Sequence, residues 1–80
     1  MRTFVTDCDQ LYRAVALKIV NEKSRSGYEI AESTGRPIVI VDHILREMWN
    51  SGRIRAMEAT GDLLYIHEAT PELKRWLRET

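Results

Sequence analysis

The chain has 80 residues, enough for one domain with a modest core and too few for a second domain. Its 12 basic and 12 acidic side chains cancel, so any attraction to nucleic acid must come from a local patch. Apolar residues make up 44% and charged residues 30%, which are ordinary values for a globular protein.

The first predicted helix covers Asp7–Asn21. Asp7 places a negative charge at the positive end of the helix dipole, which favours a helix start there. Residues of the buried face recur every four positions, at Leu11, Val15 and Ile19. The polar residues that follow, including Lys23 and Arg25, are predicted to form a solvated loop.

A short second helix is predicted over Gly27–Thr34. Ser26 and Glu29 have the spacing of a capping box, in which each residue's side chain accepts from the other's backbone N–H. Gly35 follows where a helix end requires a left-handed residue, which glycine adopts without strain. The spacing therefore predicts both ends of this helix.

The third helix is predicted to run from Pro37, as its first helical residue, to about Ser51. Proline suits that position because its φ is already helical and its missing N–H would have no partner there. Gly52 stops the helix. Its buried face is predicted at i, i+3, i+4 and i+7, on Val41, Ile44, Leu45 and Met48.

Beyond Gly52 the spacing of apolar residues changes from a period of 3.6 residues to one of 2 residues, which indicates a β-hairpin. The two strands are predicted over Arg53–Ala59 and Leu63–Glu68, with a turn at Thr60–Asp62. The inward-facing side chains are predicted to be Ile54, Leu64 and Ile66. The opposite face of the first strand is predicted to carry Arg53, Arg55 and Met57.

A last helix is predicted to begin at Pro71, with Thr70 as its N-cap. Its apolar stripe consists of Leu73, Trp76 and Leu77. Because tryptophan buries a large area, Trp49 and Trp76 are predicted to pack against each other or against the first helix.

This order of elements over residues 7–68 resembles the winged helix-turn-helix superfamily, which includes many small bacterial and archaeal transcription regulators. The resemblance is carried by Ile30, Ala31, Gly35, Val41, Leu45, Met48, Gly52 and Ile54. It implies a single α+β domain over residues 1–80, with a three-helix core, a two-stranded β-wing and a C-terminal helix. It also implies a DNA-binding regulator, often dimeric through its terminal helices.

In DNA-binding members of this family the third helix enters the major groove. Carried over by position, Arg36, His43 and Arg46 are the expected contacts from the helix, and Arg53 and Arg55 are the expected phosphate contacts from the wing. So few cations predict weak binding of double-stranded DNA by a monomer, and a homodimer would double the contacts.

The chemistry of the third helix supports a second hypothesis, a winged helix that binds a protein as an adaptor or as a small inhibitor of a larger complex. The positions that would face DNA are largely apolar, and an exposed apolar patch usually marks an interface. The residues expected to bind a protein partner are Ile38, Val39, Ile40 and Asp42. The alternative is that this run is simply buried.

No catalytic, metal or cofactor site is predicted. His43 and His67 have no third ligand at a recognisable spacing and no Ser or Cys partner for a nucleophilic triad. The sequence lacks a glycine-rich phosphate loop, and 80 residues leave little room for a deep pocket. The chain is therefore not expected to be an enzyme.

A cytoplasmic location is expected. Cys8 is the only cysteine, so no intrachain disulfide can form, which fits a reducing compartment. No apolar run approaches the roughly 20 residues of a membrane span, and the N-terminus lacks the apolar core of a secretory signal. Met1 is expected to be the natural start, and no membrane partner is expected.

Overall fold

The computed structural model describes residues 7–58 and 64–79, with side chains from residue 10 onward. The described residues form four helices and a two-stranded antiparallel sheet, an α+β arrangement compatible with a winged-helix-like fold. In chain order the elements are α1 (Asp7–Asn21), α2 (Gly27–Thr34), α3 (Ile38–Asn50), β1 (Ile54–Glu58), β2 (Leu64–Ala69) and α4 (Pro71–Glu79).

One hydrophobic core joins all six elements. Every buried side chain of the described residues is apolar, so the core includes no buried charge that would need a partner. The predicted stripes of α1 and α3 and the inward residues of both strands are confirmed. The core consists of Leu11, Val15, Ala16, Ile19, Ile30, Val41, Ile44, Leu45, Met48, Ile54, Leu64, Ile66 and Leu73.

The two ends of α2 are capped by the residues that the sequence indicated. The Ser26 hydroxyl oxygen accepts from the N–H of Glu29 at 3.2 Å. The Glu29 carboxylate accepts from the N–H of Arg25 at 2.9 Å, one residue earlier than a standard capping box would have it. At the other end Gly35 has a φ of 71° and donates to the Ala31 carbonyl, so the left-handed C-cap is confirmed.

The start of α3 differs from the prediction by one residue. Pro37 has a ψ of 140°, which is extended, so it is the N-cap and not the first helical residue. Its carbonyl accepts from the N–H groups of Ile40 and Val41, as the carbonyl of an N-cap residue does. Gly52, with a φ of 77°, follows the helix end as expected.

The two strands pair with Ile54 opposite Ala69 and Met57 opposite Tyr65, and the register shifts between Arg55 and Ala56. The predicted turn at 60–62 lies outside the described residues. The predicted solvated loop before α2 is instead attached to the sheet. Its Arg25 carbonyl accepts from the N–H of Ile66 at 2.7 Å, and the next residue forms a β-bridge to Tyr65.

The α4 helix begins at Pro71 as predicted, but Thr70 does not cap it through its side chain. The Thr70 hydroxyl donates to the Gly52 carbonyl at 2.8 Å. Its backbone carbonyl accepts from the N–H of Leu73 at 3.1 Å. The hydroxyl therefore ties the start of α4 to the end of α3. Among the described helices none is both long and apolar enough to cross a membrane.

Replacement of Gly35 by alanine should lower the free energy of unfolding by about 1 kcal/mol, because a side chain is strained at a φ of 71°. A Cβ at this position meets no atom within 4 Å, so the cost comes from the backbone conformation. Thermal unfolding followed by circular dichroism should show a drop of several degrees in Tm.

The control is Glu32→Ala, at an exposed helical position of α2, which should leave Tm within about one degree of the wild type. An unchanged Tm for Gly35→Ala would show that the left-handed cap does not constrain the helix end.

Candidate nucleic-acid interface on the third helix

The α3 helix has one face in the core and one in solvent. Val41 is fully buried, whereas the two residues before it point away from the core. Val39 is 74% exposed and Ile40 is 43% exposed. His43 lies one turn further along the same side, and Arg36 is exposed just before the helix. We call Arg36, Val39, Ile40 and His43 the outer α3 face.

The apolar run at the start of α3 is divided between core and solvent. Ile38 is half-buried, and its Cδ1 lies 3.3 Å from where a Cβ on Gly27 would be, so it packs at the start of α2. Val41 is buried, whereas Val39 and Ile40 remain exposed. Burial therefore accounts for half of the run, and two apolar side chains remain available for a ligand.

Arg46 links α3 to the hairpin. Its Nε donates to Asp42 Oδ2 at 2.8 Å, and its Nη1 donates to Glu58 Oε1 at 3.0 Å. The first contact has the i, i+4 spacing of a helical ion pair, and the second crosses to the end of β1. We call these three residues the Arg46 bracket.

The bracket changes what Arg46 and Asp42 can do. The hydrogen bond with Asp42, followed by the one with Glu58, raises the pKa of Arg46 above its ordinary value, so its charge is fixed at every physiological pH. Two carboxylates already face this guanidinium, so it offers little net charge to a phosphate. Asp42 is likewise paired, although its Oδ1 is buried without a hydrogen-bond partner among the described residues.

Arg53 is held against two aromatic rings. Its Nη1 donates to the Tyr12 hydroxyl at 2.7 Å. Its guanidinium carbon lies 5.7 Å from the centre of the Tyr12 ring and 5.3 Å from that of Trp76. The two rings are themselves in edge contact, with their centres 4.9 Å apart. The guanidinium therefore joins α1 to α4.

The prediction that Arg53 and Arg55 lie on the same exposed face of the hairpin is wrong. Arg53 precedes β1 and is half-buried, and its backbone bridges Met48 and Thr70. Arg55 is in the strand with 71% of its side chain exposed, and its Nε lies 3.6 Å from Glu68. An exposed pair at that distance is weak, so Arg55 can exchange its carboxylate for a phosphate.

Of the five cationic or polar groups assigned to DNA, the structure leaves three accessible. Arg36 and His43 lie on the outer α3 face and make no side-chain hydrogen bond or ion pair to another described residue. Arg55 lies on the hairpin. The other two, Arg46 and Arg53, have internal partners.

The prediction for Trp76 is confirmed, whereas Trp49 is seen only to pack against the core. Trp76 packs against Tyr12 of α1, and Trp49 is half-buried against the core. The contact that sequence reasoning missed is that between Tyr12 and Arg53, which are 41 residues apart. Helical periodicity marks Tyr12 only as flanking the apolar stripe, so no local signal connects it to an arginine after α3.

No metal site emerges in the part of the chain that the structure describes, where no three His, Cys, Asp or Glu side chains converge. The two histidines lie on different elements, and His67 is in edge contact with Tyr65 at 5.4 Å between ring centres. The Cys8 side chain lies outside the described residues.

Similarity to known proteins gives no further guide. The chain matches no model of a known protein family, no curated protein and no solved structure. The function of the protein must therefore be inferred from the chemistry of its surfaces.

Replacement of Arg53 by alanine should lower the free energy of unfolding by about 1–2 kcal/mol, because it removes one hydrogen bond and the stacking on two rings. Arg53→Lys should recover less than half of this loss, since an ammonium cannot stack on the rings as a planar guanidinium does. Chemical denaturation followed by tryptophan fluorescence measures both.

The matched control is Arg36→Ala, which removes the same charge from an exposed position and should leave the unfolding midpoint unchanged. Equal stability of Arg53→Ala and Arg36→Ala would contradict a structural role for Arg53.

Proposed function

We propose that the protein is a small DNA-binding regulator of the winged-helix kind, which places the first turns of α3 in the major groove. The observation that carries the proposal is the outer α3 face, an exposed helix side with its opposite side fixed in the core. An α-helix fits the major groove, which is about 12 Å wide.

The Arg46 bracket also supports the proposal of a DNA-binding winged helix. One charged hydrogen bond, from Arg46 Nη1 to Glu58, joins the middle of α3 to the end of β1, and the bond from Arg46 Nε to Asp42 holds the guanidinium in place on the helix. Together the two bonds restrict movement of the hairpin relative to the helix. With the distance between α3 and the hairpin set in this way, α3 would contact the major groove while the hairpin contacts the neighbouring phosphate backbone. Arg46 then acts as a positioning residue and not as a phosphate contact.

Each accessible residue has a distinct expected role. Arg36 and Arg55 would bind backbone phosphates on the two sides of the helix. His43 would donate to a phosphate or to a guanine. Val39 and Ile40 would contact thymine methyl groups, which are the apolar feature of the major groove. With about three phosphate contacts, a monomer would bind random DNA weakly, with a salt slope of roughly −2 to −3.

The proposal is tested by fluorescence anisotropy with a random-sequence duplex at several salt concentrations. The double variant Arg36→Ala, Arg55→Ala should weaken binding on every sequence and should reduce the salt slope by about 2, since each lost phosphate contact removes about 0.9. Neither side chain has a structural partner stronger than an exposed ion pair, so the fold should be unaffected.

The matched control is Arg78→Ala, an exposed cation on α4, which should bind DNA as the wild type does. Identical affinity of the double variant and the wild type would contradict the proposed surface. Arg53 is unsuitable for this test, because its loss would destabilise the contact between α1 and α4.

One observation favours a second candidate function, a protein-interaction module. Val39 and Ile40 expose apolar side chains next to each other, and the nearby Arg46 is neutralised by carboxylates. A partner that covers this surface would bury apolar side chains and would leave few charges without a partner, as in the core of a protein interface. The simplest partner is a second copy of this chain.

For this candidate, Val39→Asp should abolish self-association while Tm stays within a few degrees of the wild type. The side chain is 74% exposed, and an acidic residue in the first turn suits the helix dipole. Sedimentation equilibrium over a range of protein concentrations measures the association. The control is Asn50→Asp, which adds the same charge at the exposed end of α3. A monomeric wild type would remove the homodimer from consideration.

A further inference from the structure

A second surface of the protein concentrates positive charge in a concave site. Residues from α1, the segment before α2, β2 and α4 line a groove of about 270 Å³. Three cations line it, Lys23, Arg25 and Lys74, although the whole chain has no net charge. We call it the Lys23 groove. No residue of α3 lines it, so it is distinct from the outer α3 face.

The Lys23 groove is built by backbone pairing. The Arg25 carbonyl accepts from the N–H of Ile66, which holds the segment before α2 along β2. The Arg25 guanidinium then reaches over the strand and donates from Nη1 to the His67 carbonyl at 3.0 Å. This bond uses one of the five N–H donors of arginine, so the others remain for a ligand.

Lys23 occupies a backbone conformation that is unfavourable for lysine. Its φ is 57°, and it is the only residue other than glycine with a positive φ in the described chain. The left-handed region costs a residue with a side chain about 1 kcal/mol or more, and glycine would end α1 there without that cost. Lys23 lies just after the end of α1, where a left-handed residue is common, so its conformation belongs to the end of that helix.

One acidic residue, Glu68, lines the groove, and its carboxylate makes only a weak exposed pair with Arg55 at 3.6 Å. Glu29 accepts from the backbone N–H of Arg25, and Glu22 is paired with Lys18. The three lysine and arginine side chains of the groove therefore make no ion pair with a described carboxylate. The apolar residues of the lining are Ile19, Val20, Ile66 and Ala69, of which Ile19 and Ile66 are almost completely buried.

We propose that the Lys23 groove binds a small phosphate monoester, with the phosphate held by Lys23, Arg25 and Lys74 and the organic part beside Val20 and Ala69. Several cations around one dianion match the charge of such a group. The volume lies just below the usual range of small-molecule sites, about 300–1,000 Å³, so it suits a sugar phosphate better than a larger cofactor. The proposal does not depend on DNA binding by α3.

The test is titration calorimetry at low salt with ribose 5-phosphate, with inorganic phosphate and with ribose as the neutral control. The wild type should bind the ester saturably, inorganic phosphate more weakly and ribose not at all. Lys23→Gly and Lys74→Gln should each lower the affinity for the ester by about fivefold, which is the effect of losing one charge near the phosphate in water. Arg78→Gln, an exposed α4 cation outside the groove, should bind as the wild type does.

Lys23→Gly separates binding from folding, because glycine should relieve the backbone strain and raise Tm while it removes a cation. A more stable variant that binds less well would support the proposal directly. Wild-type affinity in both lysine variants, or no saturable binding of the ester, would overturn it. Displacement of the ester by a random duplex of about 20 base pairs would also overturn it, because the groove would then be a contact for backbone phosphates.

Discussion

The burial of one side of α3 is the constraint on which the rest of the structure depends. Val41, Ile44, Leu45 and Met48 are fixed in the core, so the helix cannot rotate, and its other side must face solvent. A rotation that hid Val39 would expose at least one of these side chains, at a cost of about 1.5–3 kcal/mol each. The exposed apolar residues of the outer α3 face are therefore a consequence of the core.

The structure also shows how an electrically neutral chain uses its arginines. Arg46 connects α3 to β1 through Glu58 and is also paired with Asp42 on its own helix, and Arg53 connects α1 to α4 through two rings. Both are partly removed from water, where a guanidinium needs hydrogen-bond or aromatic partners. Cations with such roles are fixed in position and poorly suited to bind a polyanion. The exposed cations include those on the outer α3 face, on the hairpin and in the Lys23 groove.

The features that follow a short period or a local backbone rule could be predicted from the sequence. The bounds of α1 and α2, the buried face of α3 and the cap at Gly35 are of this kind. The pairing of Asp42 with Arg46 has helical spacing and was visible in principle. The position of Arg53 could not be predicted. Strand alternation grouped Arg53 with the exposed hairpin residues, and its partner Tyr12 is distant in sequence. The Lys23 groove was missed for the same reason, since it needs elements that only the fold brings together.

The most direct test of the central claim is an NMR titration of the ¹⁵N-labelled protein with a short DNA duplex at low salt. If α3 reads DNA as proposed, the largest amide shifts should fall on the outer α3 face, at Val39, Ile40 and His43, with smaller shifts near Arg55. Shifts confined to the Lys23 groove, or no shifts at all at low salt, would contradict the proposal that α3 reads DNA.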